Sequence, residues 1–251
     1  MSSSEPSKGA PSEARRLRPH VYGRRKGPKR SAHQDALFET LLPALTPDLR
    51  EGADPRSYFS PPPRGEVETR SVSDGGAVDD VWLEVGFGAG EHLAWQAEQH
   101  PRVGLIGAEP YEGGVAKLLS KLDEEPRDNI RIHMGDARDI LAALPDASLG
   151  RVFVLFPDPW PKTRHHKRRF LQIEMLDTLA RVMKPGAELR FASDDAPLAE
   201  YTLERLMAHP AFTWTATRAN DWKTRPADWP PTRYEAKQLH GIPVFLEFRR
   251  V

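Results

Sequence analysis

Four carboxylates, Glu84, Glu109, Asp136 and Asp158, lie at or just after segments that are typical of β-strands. In an open α/β sheet, such positions meet in one crevice at the carboxyl ends of the strands, where ligands bind. Carboxylates accept hydrogen bonds, so Glu109 suits ribose hydroxyls and Asp136 suits an adenine amine. Together Glu84, Glu109 and Asp136 would repel a pyrophosphate and favour a cationic ligand. Any one of these acids taken alone is more often a solvated loop carboxylate.

Glycines follow the first predicted strand in the segment VWLEVGFGAG, at Gly86, Gly88 and Gly90. They allow a sharp turn and a close approach of the backbone to a ligand, because they carry no Cβ. The third small residue of a dinucleotide fingerprint would fall on Glu91, which disfavours a nicotinamide dehydrogenase. The spacing G-x-G-x-G is instead the form associated with methyltransferases that use S-adenosyl-L-methionine (SAM). A purely structural glycine turn is the alternative.

The segment FPDPWP presents Asp158 between two prolines after the fourth predicted strand. Proline restricts φ, so this loop is expected to be a rigid hook that holds Asp158 beside a methyl donor. Trp160 can stack on a base or form a wall of its pocket.

A basic run follows the hook at once, with five cations and two histidines in the eight residues 162–169. If the run opens a helix over 168–183, its cations are disfavoured there by the helix dipole, which indicates an anionic partner. RNA phosphate is the natural candidate. The alternative is a solvated helix start.

Composition excludes several classes of protein. The chain has 251 residues, no cysteine and equal numbers of basic and acidic residues, 36 of each. Without cysteine there are no disulfides, no thiolate zinc sites and no cysteine nucleophile. No metal site is indicated. We expect a cytoplasmic protein, because the sequence contains neither a membrane-spanning apolar run nor a signal peptide. A monomer and a homodimer both stay open.

Strand-like and helix-like segments alternate from residue 81 onward, which predicts a parallel sheet with helices on both faces. The strands are expected at 81–85, 103–109, 129–135, 186–193, 212–218 and 244–250, with a further one in 150–160 that ends in the proline-locked loop. Only a loop separates the last two, which permits an antiparallel pair. The predicted fold is a Rossmann-like α/β class I SAM-dependent methyltransferase, with a mostly parallel seven-stranded sheet and one antiparallel edge strand.

Three regions are expected along the chain. Residues 1–33 are basic and nearly devoid of apolar side chains, which predicts a disordered arm that either solubilises the protein or binds RNA phosphate. Residues 34–80 combine a short helix with a Pro- and Gly-rich linker. Residues 81–251 form the SAM-dependent methyltransferase domain.

The motifs LEVGFGAG, FPDPWPK, RHHKRR, ASD and TRYE, in this order, resemble the bacterial tRNA (guanine-N7)-methyltransferases. That family transfers a methyl group from SAM to N7 of the variable-loop guanine, position 46 in tRNA numbering. The resemblance implies a catalytic role for Asp158 and tRNA as the partner. It implies SAM contacts for the following residues: Glu84, Gly86, Gly88, Gly90, Glu109, Asp136 and Asp158.

The resemblance also implies further binding positions. The substrate is expected to contact Lys162, Asp194, Thr232, Arg233, Tyr234 and Glu235, of which Asp194 and Glu235 are candidates for the donor edge of guanine. The RNA backbone is expected to contact Arg164, His165, His166, Lys167, Arg168 and Arg169. This chain departs from the family pattern at Asp195, where an aromatic residue is expected, and at His166, where Asn is common.

Guanine N7 is an unprotonated acceptor in the major groove, so it needs no general base. Asp158 is therefore expected to orient the base rather than to remove a proton. Two alternatives remain at this stage. The FPDPW hook could hold an exocyclic amine for N-methylation, or the protein could bind RNA on a SAM-type fold without catalysis.

Overall fold

The structure is a computed structural model that describes residues 25–60, 78–237 and 241–251. Its strands are β1 (Asp80–Val85), β2 (Val103–Ala108), β3 (Ile130–His133), β4 (Leu149–Leu155), β5 (Met183–Ser193), β6 (Phe212–Trp214) and β7 (Val244–Arg250). Its α-helices are α1 (Ala32–Leu45), α2 (Glu91–Gln99), α3 (Glu112–Glu124), α4 (Ala137–Ala143), α5 (Ile173–Val182), α6 (Ala196–Ala208), α7 (Asn220–Lys223) and α8 (Arg233–Lys237). None of the helices in these ranges is long and apolar enough to cross a bilayer.

The strands form one seven-stranded sheet in the order β3-β2-β1-β4-β5-β7-β6. Strands β1 to β5 pair in parallel, whereas β7 is antiparallel to both β5 and β6. The fold class predicted from the sequence is confirmed. The antiparallel strand β7 lies one place inside the edge, which β6 forms. The segment between β6 and β7, which the sequence predicted to be only a loop, contains α7 and α8.

Alternate residues of the central strand enter two separate cores. Val81 and Leu83 pack on one face with α4, α5 and α6 residues, and Trp82 packs on the other with α2 and α3 residues. Both faces of β1 are therefore covered, which explains the continuous apolar run in its sequence. The carboxyl ends of the strands and the loops that follow them remain to form a site.

Part of the predicted linker is packed. Asp54 caps a 3₁₀ helix, Pro55–Phe59, by accepting a hydrogen bond from the Arg56 amide at 2.9 Å. Phe59 is buried against Gly104, where a Cβ would lie only 2.4 Å from the ring. These residues of the segment predicted to be a linker are therefore part of the folded structure. Residues 61–77 lie outside the described part.

The end of the predicted N-terminal arm is also anchored. The Arg25 carbonyl accepts a hydrogen bond from the Glu112 amide at 2.9 Å, and the Arg30 guanidinium pairs with the Glu112 carboxylate at 3.0 Å. These contacts hold residues 25–30 on the first turn of α3, because a partner distant in sequence supplies the acid. The remainder of the arm, 1–24, lies outside the described residues.

Candidate active site

The turn after β1 adopts a backbone that only glycine takes without strain. Gly86, Gly88 and Gly90 have φ values of 73°, 59° and 75°, in the left-handed region. Helix α3 approaches this turn so closely that a Cβ on Gly114 would lie 2.1 Å from the Gly88 carbonyl oxygen. A Cβ on Gly86 would instead have no atom within 4 Å. The turn is therefore packed on its α3 side and open at Gly86.

Glu109 closes the turn from the end of β2. One of its carboxylate oxygens accepts a hydrogen bond from the Gly88 amide at 2.7 Å, and the other accepts one from the Tyr111 amide at 2.9 Å. Burial raises the pKa of Glu109; these two amides oppose the shift, and the charges of Asp158 and Glu84 add to it. The three carboxylates therefore share one electrostatic environment, which favours a cation.

A cleft runs along the strand ends next to this turn. Its lining includes Gly86, Asp136, Trp160 and Arg168. Asp136 is buried and caps α4, accepting the Arg138 amide at 3.0 Å, while the Arg138 guanidinium lies 2.9 Å from its other oxygen. The structure thus brings the acid after β3 and the tryptophan of the hook to the same cleft.

The hook that carries Asp158 is bounded by two strained residues. Phe156 and Trp160 have φ values of 48° and 47°, which are uncommon for side chains larger than Asn. The Phe156 amide donates to the Ala192 carbonyl at 2.8 Å, which ties the start of the hook to β5. Asp158 is exposed at its tip, yet the surrounding protein displaces enough water to raise its pKa. The hook is therefore a loop with an uncommon backbone at both of its ends, and its start is fixed to β5.

The basic run does not open the long helix predicted over 168–183. Residues Thr163–Arg168 form a separate 3₁₀ helix, and α5 begins only at Ile173. The argument from the helix dipole therefore does not apply. The cations at Lys162, Arg164 and Lys167 are nonetheless exposed beside the hook, which leaves electrostatics as the support for an anionic partner.

Two members of the run pack on Trp160. The Arg168 guanidinium lies 4.9 Å from its ring centroid, and the His165 ring lies edge-on at 6.0 Å. Desolvation and the neighbouring cations lower the pKa of His165. His166 meets the ring of Tyr201 at 5.9 Å. Trp160 is thus held between the basic run and the cleft.

Arg169 differs from the rest of the run. It is 3% exposed, donates from Nε to the Pro159 carbonyl at 2.9 Å and lies over the Tyr201 ring at 4.5 Å. Its burial contradicts the RNA-contacting role predicted for it. The side chain instead supports the hook from the protein interior, because the Pro159 carbonyl faces inward and needs a hydrogen-bond donor.

The predicted substrate segment docks on the glycine turn through α2. The Arg233 amide and guanidinium both contact the carboxylate of Glu91, the residue that follows Gly90. Thr232 is buried and accepts the Glu235 amide at 3.2 Å. The Glu235 carboxylate pairs with Arg225 at 3.0 Å. If Glu235 binds guanine, its carboxylate does so while it is also paired with Arg225.

The other predicted substrate residues lie around the same edge. Lys162 is exposed at the start of the 3₁₀ helix, and Asp194 is half-buried after β5. A Cβ on Gly241 would lie 3.0 Å from the Asp194 carbonyl. The side chain of Tyr234 lies outside the described part. Asp195 caps α6 by accepting the Leu198 amide at 2.8 Å, which accounts for an acid there in place of an aromatic residue.

Two polar residues that the sequence did not single out are central to the site. The His92 Nδ1 lies 2.8 Å from the Glu84 carboxylate, and both side chains are buried. Gln96 contacts His92 at 3.1 Å and the Asp228 carbonyl at 2.9 Å. The sequence signal was weak: polar residues at positions 92 and 96 are one helical turn apart, on a face that should be apolar.

The fold and this site define a class I SAM-dependent methyltransferase. Acidic side chains at three strand ends suit the hydroxyls, amine and positive charge of SAM, and the open space at Gly86 admits a ligand against the backbone. Among the described residues, no group of three or more metal-binding side chains is found.

Comparison with known proteins identifies the family. A family model described as "Putative methyltransferase" matches residues 79–242. A tRNA (guanine-N(7)-)-methyltransferase of Rhodospirillum rubrum is 50% identical over 91% of this chain and 87% of its own length. One from Ruegeria pomeroyi is 43% identical over 98% and 99% of the two chains. The chain belongs to the tRNA (guanine-N7)-methyltransferase family.

Solved structures resemble this chain more distantly. The 16S rRNA methyltransferase KamB matches with a TM-score of 0.49 at 18% identity, covering 69% of this chain and 88% of that one.

Proposed function

We propose that this protein transfers a methyl group from SAM to N7 of a guanine in tRNA, giving 7-methylguanosine, and that the target is the variable-loop guanine at position 46. The observation that carries the proposal is the 50% identity, over most of both chains, to a relative named for this reaction. The substrate in this proposal is cytoplasmic tRNA.

The cofactor is assigned to the acidic end of the sheet. Glu84, Glu109 and Asp136 would hold SAM, with the glycine turn against it. When bound, SAM supplies a methyl group activated by a sulfonium leaving group. Glu109 is already oriented by two backbone amides, so its remaining lone pairs are positioned for hydroxyl donors before a ligand arrives.

Asp158 is assigned to the target base. The N7 lone pair attacks carbon without losing a proton, so the carboxylate has no proton to remove. Guanine presents N1–H and N2–H₂ donors, and Asp158 can accept them and offset the positive charge that develops on the ring. Strained residues at both ends of the hook are consistent with a carboxylate held in one position.

The phosphate backbone is assigned to the exposed cations of the basic run. Lys162, Arg164 and Lys167 lie on one short segment beside the hook. Phosphates bound there would bring the tRNA to the hook that carries Asp158 and to the cleft that Trp160 lines. Asp194 and the segment Thr232–Glu235 flank the same edge and are assigned to the guanine.

The assay uses purified protein, SAM and an unmodified tRNA transcript, followed by aniline cleavage, which maps 7-methylguanosine. We expect one cleavage site at guanine 46. An N-methylated product without cleavage would favour methylation of an exocyclic amine. Binding of S-adenosylhomocysteine (SAH) and tRNA without any methylated product would favour a non-catalytic RNA-binding protein.

A further inference from the structure

A row of residues crosses the sheet beneath the substrate segment. The strand register places Glu84 beside Phe153, Phe153 beside Arg190, and Arg190 beside Glu247. Neighbours in register project from the same face of a sheet. The row therefore extends from Glu84, the proposed cofactor-binding acid on β1, to Glu247 on β7.

Asp228 and Trp229, here called the latch, cover this row. The Asp228 carboxylate takes two hydrogen bonds from Arg190, at 2.8 and 2.9 Å. Trp229 is 2% exposed, and its ring lies 5.5 Å from that of His92 and 6.4 Å from that of Phe153. The latch is thus attached to the sheet by both charge and aromatic packing.

The latch is also bonded to the cofactor acid through two side chains of α2. The Gln96 amide nitrogen donates to the Asp228 carbonyl and lies 3.1 Å from His92 Nε2. With the Gln96 amide turned this way, Nε2 of His92 is the acceptor, so the ring proton is on Nδ1 and is donated to Glu84 at 2.8 Å. Rotating the Gln96 amide would place its oxygen against the Asp228 carbonyl. Each hydrogen bond in the series from the Asp228 carbonyl through Gln96 and His92 to Glu84 therefore has a defined donor and acceptor.

The latch precedes the substrate segment by two residues and lies inside a closed loop. The ion pair between Arg225 and Glu235 joins the two ends of 225–235, and Arg233 binds Glu91. A displacement of Asp228 would therefore move the whole segment rather than one side chain.

We propose that His92 and Gln96 are positioning residues that couple cofactor binding at Glu84 to the placement of the substrate loop 225–235. This rests on the proposed function. A ligand that binds Glu84 holds the carboxylate that accepts the hydrogen bond from His92. His92 then holds Gln96 in position, and Gln96 holds the Asp228 carbonyl. Cofactor binding should then tighten tRNA binding, and by linkage tRNA should tighten cofactor binding equally.

The test is the ratio of tRNA dissociation constants without and with saturating SAH, measured by fluorescence anisotropy on the full chain. We expect a ratio of at least about 5 in the wild type, the lower range of site-to-site coupling. The variant Gln96→Leu, which keeps the shape and removes the donors, should bring the ratio to about 1. Gln99→Leu, on the exposed side of the same helix, should keep the wild-type ratio.

A second variant separates coupling from simple loss of structure. His92→Asn retains a donor near the position of Nδ1 but cannot reach Gln96. The ratio should fall as it does in Gln96→Leu, and this readout does not depend on SAH affinity because the ratio is taken at saturating SAH. Hydrogen exchange gives the readout without turnover: SAH should slow exchange over 225–236 in the wild type, and not in Gln96→Leu, while protection of 86–112 persists in both.

The outcomes are distinct. A wild-type ratio of 1, or an unchanged ratio in Gln96→Leu, overturns the coupling even if the enzyme makes 7-methylguanosine. A wild type that makes no methylated tRNA overturns the proposed function instead.

Discussion

At the scale of single residues, the role of Asp158 depends on its charge. The protein around this exposed side chain displaces water and raises its pKa, so the carboxylate takes up a proton at a higher pH than an ordinary aspartate. Asp158→Asn should lower kcat by about 100-fold, a typical loss for one group that stabilises developing charge. The wild-type kcat/KM should also fall as pH decreases through this raised pKa, and the variant should lack that dependence. Single-turnover methylation across a pH series measures both.

The raised pKa of Asp158 also affects stability, in the opposite direction to activity: the ionised carboxylate supports catalysis but destabilises the fold. A carboxyl group whose pKa is raised on folding binds its proton more tightly in the folded state, so ionisation at neutral pH destabilises the fold. Asp158→Asn should therefore unfold at an equal or higher temperature than wild type at pH 7, and the difference should shrink as pH falls. A variant that loses both activity and thermal stability would indicate misfolding rather than a specific role.

Arg164 and Arg169 belong to the same basic run, but Arg164 is exposed and Arg169 is buried. Arg169→Lys cannot reproduce the bond to Pro159 together with the stacking on Tyr201. We expect about a 10-fold lower kcat from a displaced hook, with the salt dependence of tRNA binding unchanged. Arg164→Ala should instead weaken tRNA binding and lower the salt slope by about 1. Filter binding at several salt concentrations distinguishes them, and an equal loss of slope in both variants would contradict the inward role of Arg169.

At the scale of elements, the contact between α3 and the glycine turn determines the cofactor end of the site. Gly114→Ala should weaken SAH binding at least about 10-fold, because the new Cβ meets the backbone carbonyl of Gly88, which cannot rotate away. Gly113→Ala is the matched control on the same helix: the three atoms nearest its Cβ all belong to the side chain of Tyr111, which can turn. Calorimetric titration of both variants measures the difference. Equal affinities would show that the turn is not held by α3.

At the scale of the whole molecule, the basic arm extends from an anchor on α3. Residues 25–30 are held there through Glu112, so deletion of 1–24 should leave SAH affinity and thermal stability unchanged. If Arg15, Arg16, Arg18 and Arg24 contact phosphate, the salt slope of tRNA binding should fall by about 3 to 4. An unchanged slope would favour the alternative of a solubilising tail.

Much of the fold follows from local sequence. The strands around the glycine turn could be placed because fully buried strands need continuous apolar runs and because left-handed turns select glycine. The hook around Asp158 was predictable for the same reason, since proline restricts its own backbone wherever it occurs. The family motifs then indicated which acids belong together.

Long-range partners decided the rest. Nothing local to Arg169 distinguishes it from Arg168, and only the inward Pro159 carbonyl makes it a structural residue. Tyr58 and Phe59 looked like linker residues until the sheet supplied a surface for them.

By itself, the sequence determined the strand order along the chain, the turn, the hook and the family, because each depends on backbone preferences or contiguous motifs. Only the tertiary structure decided that His92 and Gln96 connect Glu84 to Asp228. Residues 96 and 228 are 132 positions apart, and hydrogen bonds between buried groups form wherever packing brings a donor to an acceptor.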